Sequence, residues 1–225
     1  MQFHLISIFP DIFSSYLNES ILKRAQDKKI IRCQIHNLRD WTNDKHKTVD
    51  DAPYSGGAGM LMKIEPLYRA LSDIKELNKE IRPAKRKIVL LSAGGKKWNQ
   101  SLARQYSKLE ELILICGRYE GVDARIKKFI DAEISVGDYV LTGGELPALT
   151  LIDSIARLLP GVLGNSDSLL EESHALAGIA EYPQYTRPEI FMAGGKKYAV
   201  PKVLLSGDHR KVKEWRNSRQ KKIKN

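Results

Sequence analysis

Three glycine-bounded corners hold the residues whose spacing suits a ligand. The most informative is Val136-Gly137-Asp138-Tyr139-Val140-Leu141-Thr142-Gly143-Gly144-Glu145-Leu146-Pro147, ahead of an apolar-periodic run from Ala148 to Leu159. Glycine takes positive φ and lets a ligand approach the backbone closely, while Glu145 and Pro147 suit the first turn of a helix. An isolated Gly-Gly pair would read as an ordinary strand-to-helix turn. Here the same pattern recurs at Ile113-Leu114-Ile115-Cys116-Gly117-Arg118-Tyr119-Glu120-Gly121 and at Ile88-Val89-Leu90-Leu91-Ser92-Ala93-Gly94-Gly95. In a parallel α/β sheet, ligands collect beyond the carboxyl ends of strands, so three such ends predict one ligand site. No G-x-G-x-x-G or G-x-x-x-x-G-K-[ST] motif is present, which argues against dinucleotides and nucleoside triphosphates.

Other residues suit nucleic acid. The stretch from Arg39 to Gly59 is long, polar and glycine-rich, with Trp41, Lys45, His46, Lys47 and Tyr54, a mixture fitted to base stacking and phosphate contacts. Read from its residues alone, His46 is equally a solvent-exposed loop residue. The last stretch, Asp208 to Asn225, reads as a helix in which Glu214 is the single acid after Asp208, among Arg210, Lys211, Lys213, Arg216, Arg219, Lys221, Lys222 and Lys224. Such a run is usually a solvated face, but this excess of cations favours phosphate. No His/Cys/Asp cluster has metal-ligand spacing. Cys33 and Cys116 sit in apolar runs without a CxxC pattern and read as buried thiols in a reducing compartment.

The elements that must position these groups alternate. Phe3 to Phe9 is a strand, and Pro10-Asp11 start a helix through Leu17. Helices over about 19–27, 65–77, 99–109 and 122–130 are separated by strands at about 30–38, 60–64, 88–91 and 113–116 and one ahead of Gly137. This order predicts an α/β fold with parallel, right-handed units. Pro160-Gly161 stop the helix that begins near Ala148. Residues 162–179 read as a linker, and 181–191, with two prolines and two tyrosines, as extended.

Composition narrows the class. The 225 residues are 42% hydrophobic and 28% charged, long enough for a sizeable core, and no apolar run approaches a membrane span. Met1-Gln2-Phe3-His4 lacks a basic region and reads as a first strand rather than a signal peptide. The net charge of +10 points to a polyanion. A membrane surface is the weaker partner, because no basic amphipathic helix carries an aromatic-rich opposite face.

Gly-Arg-Tyr-Glu-Gly and Gly-Asp-Tyr-Val-Leu-Thr-Gly-Gly-Glu-Leu-Pro, with Val49-Asp50-Asp51-Ala52-Pro53-Tyr54 and Tyr185-Thr186-Arg187-Pro188-Glu189, closely resemble the bacterial tRNA (guanine-N1)-methyltransferases of the SPOUT class. The resemblance runs from Phe3 to about Trp215. It implies a trefoil-knotted catalytic domain with a mainly parallel sheet over residues 1–160. A flexible linker over 161–179, ordered over the active site by tRNA, and a small basic helical tRNA-binding domain over 180–225 follow. The activity it implies is cytoplasmic methylation of N1 of guanine 37, beside the tRNA anticodon, from S-adenosylmethionine, by an obligate homodimer and in association with Mg²⁺. The competing readings are a SPOUT methyltransferase acting on ribosomal RNA and a non-catalytic RNA-binding module.

The resemblance also assigns residues. The donor falls to Ser92, Gly94, Gly117, Tyr119, Glu120, Val136, Gly137, Asp138, Tyr139, Val140, Leu141, Gly143, Gly144, Leu146 and Pro147. RNA falls to Lys45, His46, Tyr54, Arg187 and His209, and no protein metal site is implied. Arg157 is the cation that stabilises negative charge on O6, and the base stands just before Ser173. There the family has Asp followed by Ser-Phe, whereas this chain has Glu171-Glu172-Ser173-His174, so Glu172 is the candidate by position and Glu171 the alternative. Other departures are Ser55 for Gly, Ala93-Gly94 for Pro-Gln, and a C-terminal domain shorter than in long members.

Overall fold

The computed structural model describes residues 1–54, 56–165, 172–175 and 178–223; Ser55, Glu171 and Lys224, singled out above, lie outside them. The chain divides into two compact units, Met1–Gly164 and Asn165–Asn225.

The first unit is built on five parallel strands in the order β2-β1-β6-β5-β7. These are β1 (Gln2–Ser7), β2 (Arg32–Asn37), β5 (Arg86–Lys97), β6 (Glu111–Cys116) and β7 (Ala132–Ser135). β6 lies at the centre and every residue of it is buried, as its unbroken apolar run requires when both sheet faces are covered. The pleat divides its side chains between two cores. Leu112, Leu114 and Cys116 pack with Phe3, Leu5, Val89, Leu91 and Ile134 against α2 (Ser20–Asp27), α4 (Gln100–Tyr106) and α5 (Glu145–Ala156). Ile113 and Ile115 pack with Ile6, Ile88 and Leu90 against Leu67, Ala70, Leu71 and Ile74 of α3 (Ile64–Leu77). The predicted one-sided helix over 65–77 is α3, and the parallel pairing expected of the first strand-helix-strand unit is that of β1 with β2.

Several local expectations are corrected. Between Pro10 and Leu17 a 3-10 turn, Pro10–Phe13, precedes a single α-turn, α1 (Ser14–Leu17). The long loop after Arg39 contains β3 (Asp50–Asp51), paired antiparallel with β4 (Leu61–Met62). The helix expected over 122–130 is a five-residue 3-10 segment, Ala124–Lys128, started by the Asp123 side chain, which accepts from the Arg125 N–H. The glycine turn expected at 92–95 is part of β5, which runs on to Lys97 and pairs with β7 on both sides of an irregularity between Leu91 and Lys96. Gly95 makes that possible: a Cβ there would stand 2.5 Å from the Ile134 nitrogen.

The second unit is not purely helical. Its helix α6 (His209–Arg219) ends well short of residue 225. Lys221–Lys222 form β11, antiparallel to β8 (Ile179–Ala180), so the stretch expected to be linker ends in a paired strand. β9 (Ile190–Ala193) and β10 (Lys196–Ala199) make a hairpin through Gly194 and Gly195, both at positive φ as such a turn requires. Among the described residues no helix is long and apolar enough to cross a membrane.

Candidate active site

The carboxyl ends of β5, β6 and β7 open into one cavity of about 440 Å³, closed on its remaining side by residues 139–144 and Pro147 of α5. All three glycine corners therefore line a single space, although the first of them is a bulged strand. The connection from β5 to β6 runs one way along the sheet and that from β6 to β7 runs back across β5, so the order reverses where an open parallel sheet leaves a crevice.

Glycine acts here through close approach rather than through positive φ. Neither Gly143 nor Gly144 has a left-handed backbone. A Cβ on Gly144 would lie 2.7 Å from the Cys116 Cα and 3.0 Å from the Gly117 nitrogen, so the loop lies flat on the end of β6. The Gly144 N–H donates to the Gly117 carbonyl at 2.9 Å and joins the two corners directly. Positive φ occurs instead at Tyr119 (59°) and Gly121 (135°), where the turn after β6 bends sharply. Burial and the nearby Asp50 carboxylate push the Tyr119 hydroxyl pKa up.

Of the fifteen residues assigned to the donor, Ser92, Gly94, Gly117, Tyr119, Glu120 and Val136 line the cavity, as do Tyr139, Val140, Leu141, Gly143, Gly144 and Pro147. Gly137, Asp138 and Leu146 do not. Asp138 is paired with Lys97 at the surface, and Leu146 points outward from α5, 60% exposed. Gly137 supports the loop, its carbonyl accepting from the Ser135 Oγ at 2.8 Å.

Sequence reasoning missed a buried carboxylate and its partner. Glu145, read only as a helix-start residue, is 1% exposed. One of its oxygens accepts from Ser7 Oγ at 2.6 Å and the other from Arg118 Nε at 2.9 Å. Arg118 also donates through Nη1 to the Thr142 carbonyl at 3.2 Å and covers the Phe9 ring at 4.7 Å. An acid directly after the Gly-Gly pair and an arginine inside the other glycine corner were the available signal.

Of the two residues assigned to catalysis, Arg157 belongs to the first unit. Arg157 caps the carboxyl end of α5, while the cavity lies at its amino end; twelve residues of helix put them about 18 Å apart within one chain. Glu172 belongs to the second unit. There it lines a cavity of about 410 Å³ together with His209, Lys213, Arg216 and Tyr182, the Arg216 guanidinium lying 4.9 Å from the Tyr182 ring centroid. In the first unit, Lys45 and His46 sit in a turn closed by Asp44, whose carboxylate accepts from the Thr48 N–H at 3.0 Å and from its hydroxyl at 2.7 Å. Tyr54 is 96% exposed. Arg187 precedes Pro188 in the extended segment of the second unit.

Comparison with known proteins agrees with this architecture. Against solved structures, the chain superposes on one described as tRNA (m1G37) methyltransferase from Aquifex aeolicus with a TM-score of 0.77 and 39% identity, covering 96% of this chain and 87% of that one. Two curated relatives named tRNA (guanine-N(1)-)-methyltransferase, from Dictyoglomus turgidum and Clostridioides difficile, are 51% and 50% identical. They cover 96% and 99% of this chain and 83% and 94% of their own lengths. The sequence profile of the family described as tRNA (Guanine-1)-methyltransferase TrmD matches residues 1–225. The chain belongs to the tRNA (guanine-1)-methyltransferase family.

Proposed function

We propose that this chain transfers a methyl group from S-adenosylmethionine to N1 of guanine 37 in tRNA, as a homodimer in the cytoplasm. The observation that carries the reading is that three strand ends line one cavity whose walls include main chain stripped of side chains. That cavity fits the donor. Ala93 and Gly94, both exposed, present main chain to the cavity, while Leu90, Leu91, Ile126, Ile134 and Pro147 provide apolar wall for an adenine ring. Bound there, the donor supplies an electrophilic methyl on a sulfonium.

The chain's own residues would do the rest. Guanine N1 carries a proton at neutral pH, so a base must take it, and negative charge moves to O6. Glu172 is the proposed base, one methylene longer than the family's Asp. Arg157 is the proposed partner of O6. Its distance from the cavity of its own chain supports a second protomer as its source, and so does an exposed apolar surface near that cavity. Val140 and Leu146 are 85% and 60% exposed, and Phe9, Ile12 and Tyr16 are exposed on the first helical turns. The Tyr16 hydroxyl donates to Asp153 on the same outward face of α5 as Leu146. The trefoil threading is inferred from family membership.

The second unit is the proposed RNA-holding part, with seven described cations from Arg210 to Lys222 on α6 and β11. Lys45, His46 and Tyr54 in the first unit and Arg187 and His209 in the second are the proposed contacts. Among the described residues no group of three His, Cys, Asp or Glu side chains could hold a metal ion.

The test is methyl transfer from labelled S-adenosylmethionine to tRNA transcripts carrying guanine or adenine at position 37. Label appearing as 1-methylguanosine in the first alone is the expected result. Label in ribosomal RNA instead, or in neither, contradicts it.

A further inference from the structure

Arg118 and Glu145 come from different walls of the donor cavity, one from the corner after β6 and the other from the start of α5. Arg118 is a lining residue. A guanidinium in the wall opposes entry of a cation, and S-adenosylmethionine carries its reactive methyl on a positive sulfur. The charge next to it is therefore consequential. Glu145 contacts that guanidinium at 2.9 Å from a buried position, with Ser7 Oγ on its second oxygen at 2.6 Å. Both oxygens of this buried carboxylate therefore have a donor, as burial of such a group requires.

The same pair fixes shape. Arg118 bridges Glu145 and the Thr142 carbonyl, so the loop ahead of α5 is held against the β6 corner by one side chain. Gly143 is where the bridge passes: a Cβ there would collide with Arg118 Nε and lie 2.5 Å from Glu145 Oε2.

The geometry points to Arg118 and Glu145 as a positioning pair that holds two walls of the donor cavity together and cancels the Arg118 charge, so that the cavity accepts a cationic donor. The inference rests on the donor reading above and deepens it.

Titration calorimetry on the full chain with S-adenosylmethionine and with S-adenosylhomocysteine, whose sulfur is neutral, tests it. Glu145→Gln keeps the shape and removes the charge. It should weaken S-adenosylmethionine about tenfold more than S-adenosylhomocysteine, as expected for an uncompensated cation in the wall of a partly dry cavity. Arg118→Lys keeps the charge but cannot reach both Glu145 and the Thr142 carbonyl, and should weaken both ligands alike. The double variant Arg118→Met with Glu145→Gln should return the ratio of the two affinities to the wild-type value. Equal loss of both ligands in Glu145→Gln, no loss of either, or a double variant as selective against the cation as the single one would overturn the inference. Should Glu145→Gln fail to fold, the double variant decides: the wild-type ratio supports the pairing, and a ratio shifted about tenfold against the cation contradicts it. Wild-type protein binding neither ligand would instead defeat the donor reading.

Discussion

Gly144 rests on Cys116 so closely that a Cβ on it would stand 2.7 Å from the Cys116 Cα. The atoms it would meet are backbone on a fully buried strand, and they cannot rotate away. Gly144→Ala should lower stability by about 1–3 kcal/mol, as overpacking does, and should separate the 136–144 loop from β6. Gly94→Ala is the control, because the nearest atom to its Cβ would be Ser92 Oγ at 3.9 Å. Thermal stability should drop for the first variant and stay near wild type for the second, and donor binding should drop with the first.

Acid should destabilise the edge of the first unit. His36 Nε2 lies 2.9 Å from His4 Nδ1, and the two rings stack at 5.2 Å. Burial, then the neighbouring His4 charge, lowers the His36 pKa from 6.5 to about 4. A folded value below the unfolded one means that this contribution is intact above pH 6.5 and is lost as pH falls through about 4. Glu111 acts in the same direction. Burial pushes its carboxyl up, but hydrogen bonds from His4 and Arg86 outweigh that and leave it lowered, so its contribution goes as pH drops below its ordinary 4.5. The melting temperature should therefore fall as pH drops from 6.5 to 4, and His36→Gln should flatten that fall; an unchanged profile would remove His36 from the account.

Arg157 lies about 18 Å along α5 from the cavity of its own chain. Arg157→Ala should lower single-turnover methyl transfer by about 10²–10³-fold, the cost typical of losing one stabiliser of a developing oxyanion. Mixing that protein with Gly144→Ala should restore part of the rate, since a mixed dimer can join an intact cavity to an intact Arg157. Mixtures no faster than either parent would contradict the shared site. Glu172→Gln should lose rate while keeping donor affinity.

Binding of tRNA should weaken steeply with salt. Removing one phosphate-contacting cation, as in Lys213→Ala or Lys222→Ala, should reduce the slope of log K against log salt by about 1 each. Fluorescence anisotropy at several salt concentrations measures it, and unchanged slopes would clear α6 and β11 of phosphate contact.

What the sequence made legible follows from range. β6 was readable because Leu112 to Cys116 is an unbroken apolar run, and α3 because Leu67, Ala70, Leu71 and Ile74 repeat at helical spacing. The corner at 92–95 misled because two glycines resemble a turn, whereas Gly95 admits the backbone of β7 and lets β5 continue. The ribbon of β8 and β11 was hidden because Lys221–Lys222 continue a helical charge run, and their partners lie some forty residues earlier. The Arg118–Glu145 bridge joins residues 27 apart, and no local pattern records such a contact.

Hydrogen–deuterium exchange of the full chain with and without S-adenosylmethionine tests most directly whether the three strand ends form one donor site. Slower exchange at 92–95, 117–121 and 136–144 together, saturating at a single ligand concentration, is the expected result. Protection confined to one of these segments, or appearing only outside them, would contradict the account.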